Sequence, residues 1–248
     1  MKFYCRHWYS VNLIFIPILG IILALNWSTF EMQQNLVLLN LIFLLIHQFE
    51  EYGFPGGEPM IMNYVLQGSR IPDRFPLNQF SAMFTNVFTG VIFYGMPVFF
   101  PQYIWLSMGP MLFNFGQLLV HGVMTNKVMK SIYNPGLGSV IFLHIPISFY
   151  FFCYALSNSM IQATDWVFAA IFTIICAALA VGWMTYVFFA SRKTKWIFAA
   201  EELSRFDIIT KMQRKGIQIG EARPKGPIAF MQKLQVKLHP NDDKQEAP

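Results

Sequence analysis

The chain has 248 residues, 55% of them hydrophobic and only 12% charged, with a mean hydropathy of +0.43. Soluble domains carry about twice that charge fraction, so the composition excludes an ordinary water-soluble globule and predicts an all-α, polytopic membrane helix bundle. The net charge of +5 and the pI of about 9.1 do not signal nucleic-acid binding, because twelve of the eighteen Lys and Arg residues lie from Arg192 onward and no base-reading module is present; the partner these charges imply is the anionic face of a lipid membrane.

Six apolar stretches, at 9–27, 33–54, 79–100, 102–126, 135–157 and 165–190, are long enough to span about 30 Å of hydrocarbon. Lys2 and Arg6 precede the first, Arg70 and Arg74 follow the second, Lys127 and Lys130 follow the fourth, and Arg192, Lys193 and Lys195 follow the sixth. The alternate connections contain no Lys or Arg, so the positive-inside rule predicts cytoplasmic N and C termini. The first stretch could pass for a secretory signal, but Ala24-Leu25-Asn26 is a poor cleavage site. Cys5, Cys153 and Cys176 are too scattered for a disulfide framework or a zinc motif and are expected to be packing residues.

The second span ends in His47-Gln48-Phe49-Glu50-Glu51. Each charge at mid-membrane costs roughly 2.5–3.5 kcal/mol on insertion scales, so two carboxylates and an imidazole there need protons, partners or a cation. At about 100° per residue, Glu51 lies about 40° around the helix from His47 and Glu50 about 60° the other way, so all three can face one direction. The connection that follows is proline-rich; Glu58-Pro59 can open a short helix and Gly68 can close it, serving as a brace or a lid.

Span three contributes Asn86 beside Thr85 and Thr89, and span four contributes Pro110, Asn114, Gln117 and His121. Asn114 and His121 are seven apart and fall within about 20° of each other, a polar stripe facing inward, with a kink expected at Pro110. Interhelical adhesion alone could explain Asn114 or Gln117. In Tyr133-Asn134-Pro135-Gly136, Asn suits an N-cap and Pro a first helical position, so span five starts there and carries His144 and Ser148. Span six has no internal charge and reads as a packing wall. The domain division is therefore a six-helix transmembrane unit, 1–190, and a basic cytoplasmic tail, 191–248. In that tail 194–215 suits one amphipathic helix on the leaflet, contributing nothing to the bundle, and His239 to Pro248 should be disordered.

Counted from the cytoplasmic end of each span, His47, Asn86, His121 and His144 share a slab roughly 8–14 Å deep, so four helices supply polar groups at one level. His47, Glu50 and Glu51, followed by Asn86, Asn114, His121 and the Tyr133-x-Pro135-Gly136 turn, resemble the HXXEE family of membrane proteins over about residues 35–155. The resemblance implies a shared membrane domain and site, and it supplies no reaction.

The residues themselves favour a membrane-embedded metalloenzyme, hydrolytic, acting on a lipid or other apolar substrate. His47, His121 and one of Glu50 or Glu51 would bind a zinc-like divalent ion, with His144 as a further imidazole. The remaining glutamate would be the general base, and Asn86 and Asn114 would hold the substrate oxygen or orient a ligand. Two alternatives stand beside it: a metal-free proton-relay isomerase, and a small-solute or cation transporter. On the charge alternation, reporters fused after Lys130 and at the C terminus should read cytoplasmic, and one within 157–165 external; an external C terminus would overturn the six-span arrangement.

Overall fold

The computed structural model of the protein describes residues 2–217, and the expectation for His239 to Pro248 lies outside the described residues. Among the described residues the elements are helices joined by turns, with no strand. Four helices are long and apolar enough to cross a membrane: Met32–Tyr52 (α3), Gln79–Phe99 (α5), Leu137–Ser157 (α7) and Ala163–Phe188 (α8). A fifth crossing is counted if Lys2–Asn12 (α1) and Phe15–Asn26 (α2), bent by 42°, form one span. The first helix thus starts earlier than expected and is broken. The break has a local cause, since Pro17 has no N–H to return to the carbonyl of Leu13 and its ring crowds that turn.

The remaining expected span is helical over 104–129 (α6), running without interruption past Pro110, but it is not among the four. It carries Asn114, Gln117, His121, Asn126 and Lys127 among its apolar residues. The residues that qualify it as a site wall are the ones that lower its hydropathy.

The centre of the bundle is α3, which packs against α2, α5, α7 and α1. At its start Leu36 and Val37 join Met108, Met111 and Phe151 in one apolar cluster, and at its end Tyr52 joins Trp8, Leu77, Met83 and Phe198 in another. Between them the same helix buries Asn40, His47, Gln48 and Glu51. α8 lies outermost, docked chiefly on α6, with only 11% of its apolar window buried and Ile171, Ile174 and Leu179 facing outward. It is the wall its composition implies. Of the three cysteines only Cys5 is buried, and Cys153 is exposed on the outer surface of α7, so it is not a core packing residue.

The proline-rich connection forms its expected short helix, Glu58–Met60 running on as Ile61–Leu66 (α4). Gly57 precedes it at φ +106°, a conformation that an L side chain would strain. Asn63 ties the segment down, donating to the Pro72 and Leu77 carbonyls at 2.8 and 2.7 Å and accepting from Leu77 N–H at 2.9 Å.

The segment after α8 departs from the single amphipathic helix expected over 194–215. It turns at 192–193, runs without regular structure as far as Ala199, then forms Ala200–Leu203 (α9), a 3-10 turn at Arg205–Asp207, and Ile208–Arg214 (α10). Its apolar residues find protein partners: Phe198 is buried with Trp8 and Tyr52, and Ile208 and Met212 pack with Met60, Ile61 and Met129. Glu202 is buried and accepts from Gln79 at 3.0 Å, and Lys215 Nζ donates to the carbonyls of Met129 and Lys130 at the end of α6. Truncation after Ser191 should therefore lower the thermal midpoint sharply, and Met212→Ala alone should cost about 2–5 kcal/mol; an unchanged melting curve for the truncated chain would return the segment to a peripheral attachment.

Candidate metal centre

His47 and Glu51 are one helical turn apart on α3, and the bundle brings His121 of α6 to the same place. His47 Nε2 lies 3.3 Å and His121 Nε2 3.2 Å from the same oxygen, Glu51 Oε1. All three side chains are buried, and their ligand-type atoms lie within 4.8 Å of one another. The imidazoles approach this closely because Gly136 lies against both: a Cβ there would stand 2.6 Å from His121 Cε1 and 3.0 Å from His47 Cε1. The same glycine adopts φ +97°.

The other ring nitrogens fix the tautomers. His47 Nδ1 faces the Gly136 carbonyl at 3.2 Å and Ser139 Oγ at 2.9 Å, and that hydroxyl donates its own proton to Glu50. His121 Nδ1 lies 2.8 Å from Asn134 Oδ1, whose amide nitrogen is committed to the His121 carbonyl and to Asn126. Both Nδ1 atoms are thus donors, and in a neutral imidazole that leaves a lone pair on Nε2. Two lone pairs and a carboxylate converge among buried side chains, and His47 Nε2 has no well-formed hydrogen bond despite its proximity to Glu51. Such a group of acceptors holds together only around protons or a cation. Two imidazoles and one carboxylate, with Nδ1 atoms donating to oxygen acceptors, also form a donor set suited to a divalent ion of the zinc class.

Glu50, the other glutamate of the motif, turns away from this group. Its Oε1 accepts from Tyr133 Oη and Gly138 N–H, both at 2.9 Å, and its Oε2 accepts from Ser139 N–H at 2.7 Å and Ser139 Oγ at 2.5 Å. It takes up free N–H groups in the first turn of α7, where a negative charge also meets the positive end of the helix dipole. Asn134 does not cap that helix; Gly136 occupies the cap position, and Asn134 orients His121 instead. Through Ser139, Glu50 also holds the His47 ring.

His144 sits beside the three, its ring centroid 5.3 Å from that of His47, but belongs to an adjoining network. His144 Nδ1 and Asn114 Nδ2 both reach Asn40 Oδ1, at 3.1 and 3.0 Å, while Asn114 accepts from Tyr94 Oη at 2.9 Å and donates to Ser148 Oγ at 3.0 Å. His144 Nε2 and Asn40 Nδ2 are buried without partners. Asn86 stands apart from both groups. Its amide returns to the Ala82 carbonyl at 2.9 Å and its side chain meets the Tyr52 phenol.

Asn40, Asn134, Ser139 and Tyr94 take part in the site in roles that the sequence alone did not single out, and Glu58 is a buried carboxyl at the start of α4. Asn40 had a signal, since it lies seven residues before His47 on the same face of α3. Glu58 had none, being brought in from the connection. It is buried and its Oε2 has no hydrogen-bond partner. Burial and the neighbouring Glu51 charge push its carboxyl well above the ordinary carboxylate range.

Residues 38–151 match the family model described as a protein of unknown function with HXXEE motif. The matched stretch holds the whole site and stops short of the tail. No curated protein and no solved structure matches the chain.

If Glu50 is the anchor of α7 and of the His47 ring, Glu50→Ala should destabilise the protein by at least about 2 kcal/mol, because it strands several donors that a charged acceptor now satisfies. Thermal unfolding of the purified protein measures this, and a midpoint matching wild type would remove Glu50 from that role.

Proposed function

We propose, with the HXXEE likeness as the starting point, that the protein is a membrane-embedded, metal-dependent enzyme of hydrolytic type acting on a lipid or other apolar substrate. The reading includes the finer topology: six crossings, both termini cytoplasmic and the polar site nearer that side. The charge alternation of the connections and the helical span over 104–129 support it.

One observation carries the catalytic part: two buried imidazole nitrogens, both tautomers set by their outer hydrogen bonds, converge on one carboxylate oxygen at 3.3 and 3.2 Å. His47, His121 and Glu51 would hold the ion, and three protein ligands leave a position open for water or substrate, as catalytic sites require. When bound, such an ion supplies a nucleophilic water at neutral pH and polarises a substrate carbonyl or phosphoryl oxygen. The protein's own groups supply the rest. Ser139 and Asn134 keep the Nδ1 protons away from the site, Glu50 fixes Ser139, and the burial of the three side chains excludes bulk water. Apolar side chains exposed along α7 and α8, such as Phe149 and Ile174, suit a substrate that arrives from hydrocarbon.

The proton-relay reading is favoured by one feature of its own, the run of close contacts from Glu50 through Ser139 and His47 to Glu51 and His121, in which the step from His47 Nε2 to Glu51 is a 3.3 Å contact and not a formed hydrogen bond. In that run Glu51 would carry the proton between two imidazoles, as an isomerase needs.

Elemental analysis of protein purified in detergent without chelator separates the two. The metal reading expects close to one equivalent of Zn, Mn or Fe in wild type, lost in His47→Ala, His121→Ala and Glu51→Gln, because a site missing one of about three protein ligands does not survive purification. Glu50→Gln should retain bound metal with weaker affinity, since it touches the site only through Ser139. Metal-free wild type that also fails to take up added ion would end the metalloenzyme reading and leave the relay.

A further inference from the structure

A cavity of about 250 Å³, sharing no residue with the metal centre, lies where the ends of three helices meet. Lys2 and Arg6 line it from the first turns of α1, Gln79 from the start of α5, and residues 195–199 from the segment after α8. Because α5 and α8 are apolar enough to cross a membrane and both end here, the cavity lies at the edge of the hydrocarbon layer. Three cations line it, Lys2, Arg6 and Lys195, and no Asp or Glu does. Arg6 reaches outward to Glu201 at 3.2 Å, but both side chains of that pair are exposed, and an ion pair in that setting is weak enough to exchange. Among the described residues neither Lys2 nor Lys195 forms an ion pair. The first residues of α1 and α5 both stand in the wall, so the positive ends of two helix dipoles add to the same sign of charge.

The wall that carries Lys195 is fixed by its backbone. The Trp196 carbonyl accepts from Gln79 N–H at 3.1 Å, and Phe198 N–H donates to the Asp73 carbonyl at 2.8 Å. Trp196 packs on Phe80, ring centroids 5.6 Å apart, and Lys195 Nζ lies 5.5 Å from the Trp196 ring. Glu202 is buried, and the same carboxylate oxygen accepts from Gln79 Nε2 at 3.0 Å and from Ala199 N–H at 2.8 Å, so it braces this wall from behind. The cations are thus held around a formed space, where a loose basic segment would leave them scattered.

Exposed apolar side chains accompany the cations: Phe3, beside Lys2 in sequence, is 71% exposed, and Ile197 stands in the wall itself. Cations and apolar groups together at the edge of hydrocarbon match a molecule that is anionic at one end and apolar at the other. The cavity is smaller than the roughly 300–1,000 Å³ of pockets that enclose a drug-sized ligand, so it admits a headgroup and leaves acyl chains outside. We propose that it binds the phosphate-bearing headgroup of an anionic phospholipid, with Lys2, Arg6 and Lys195 around the phosphate and the acyl chains lying past Ile197 in the bilayer. Such a lipid joins α1, α5 and the segment after α8 at one point. The site stands independently of what His47, Glu51 and His121 bind.

The test titrates full-length protein in neutral detergent with dioctanoyl phosphatidic acid, dioctanoyl phosphatidylcholine and inorganic phosphate, and follows the thermal midpoint, which a ligand of the folded state raises. Phosphatidic acid should raise it saturably at concentrations where phosphatidylcholine and inorganic phosphate do not. The double variant Lys2→Gln/Lys195→Gln should melt like wild type without lipid and lose about 25-fold in affinity, about fivefold for each cation. Each variant's shift is read against its own lipid-free midpoint, so a change in stability does not mask the result. Lys127→Gln/Lys130→Gln removes the same charge elsewhere on the surface and should bind as wild type does. Equal weakening in both double variants would overturn the site in favour of diffuse attraction to anionic lipid, and so would Lys2→Gln/Lys195→Gln binding within about threefold of wild type. Inorganic phosphate binding as tightly as phosphatidic acid would overturn the lipid reading in favour of a free phosphate, and wild type without any response would overturn the site outright.

Discussion

Everything near the centre of this molecule depends on one electrostatic demand: the lone pairs of two imidazoles and a carboxylate are held together away from water. Glu51 cannot sit between His47 and His121 without positive charge among them, whether protons or an ion. The surrounding hydrogen bonds prevent the rings from resolving the demand themselves by exchanging tautomers. Ser139 and the Gly136 carbonyl hold one ring and Asn134 holds the other, each through Nδ1. The three side chains are therefore held in one arrangement by their surroundings, the preorganisation that a binding or catalytic site would require.

The adjacent glutamates of the motif divide two tasks that sequence spacing cannot separate. Positions 50 and 51 differ by about 100° on a helix, enough for one to enter the pocket and the other to reach the start of a different helix. Glu50 serves α7 as an N-terminal cap supplied from elsewhere in the chain, and by doing so it ties the register of α7 to that of α3. His144 depends on the same register, since it lies on α7 and meets Asn40 of α3. An apolar interface alone would tolerate small slips between these helices, whereas a carboxylate between two N–H groups does not.

The helices and the location of the site were legible in the sequence because both follow from local pattern. Long apolar runs mark helices apolar enough to cross a membrane, and an imidazole with carboxylates inside one marks a costly cluster. Of the four residues counted to one level, His47 and His121 meet at Glu51 and His144 lies beside them, while Asn86 stands apart. The particulars escaped where a contact is set by tertiary packing. Asn134 looks like a cap and instead orients His121. Glu58 lies in a proline-rich connection, and nothing in its neighbours announces that the chain folds back there. Arg205 and Met212 read as parts of a membrane-surface helix because their partners, Tyr9 and Met60, are nearly two hundred and about a hundred and fifty residues away. The helix over 104–129 falls short of the apolar set for a related reason: its inward side is polar for the sake of the site.

α3 is the least hydrophobic of the four helices apolar enough to cross a membrane, with a mean hydropathy of 1.3 against 2.4 for α8. Apart from contacts within α3 itself, the residues that engage Asn40, His47, Glu50 and Glu51 come later in the chain: Asn114 and His121, then Tyr133, Ser139 and His144. As the ribosome delivers this protein, His47, Glu50 and Glu51 would thus wait for partners not yet synthesised, in a segment only marginally content with lipid. The natural consequence is an order of assembly. α3 would linger near the insertion machinery until α6 and α7 emerge, and the closing of the polar centre would then be the step that commits the bundle to the bilayer.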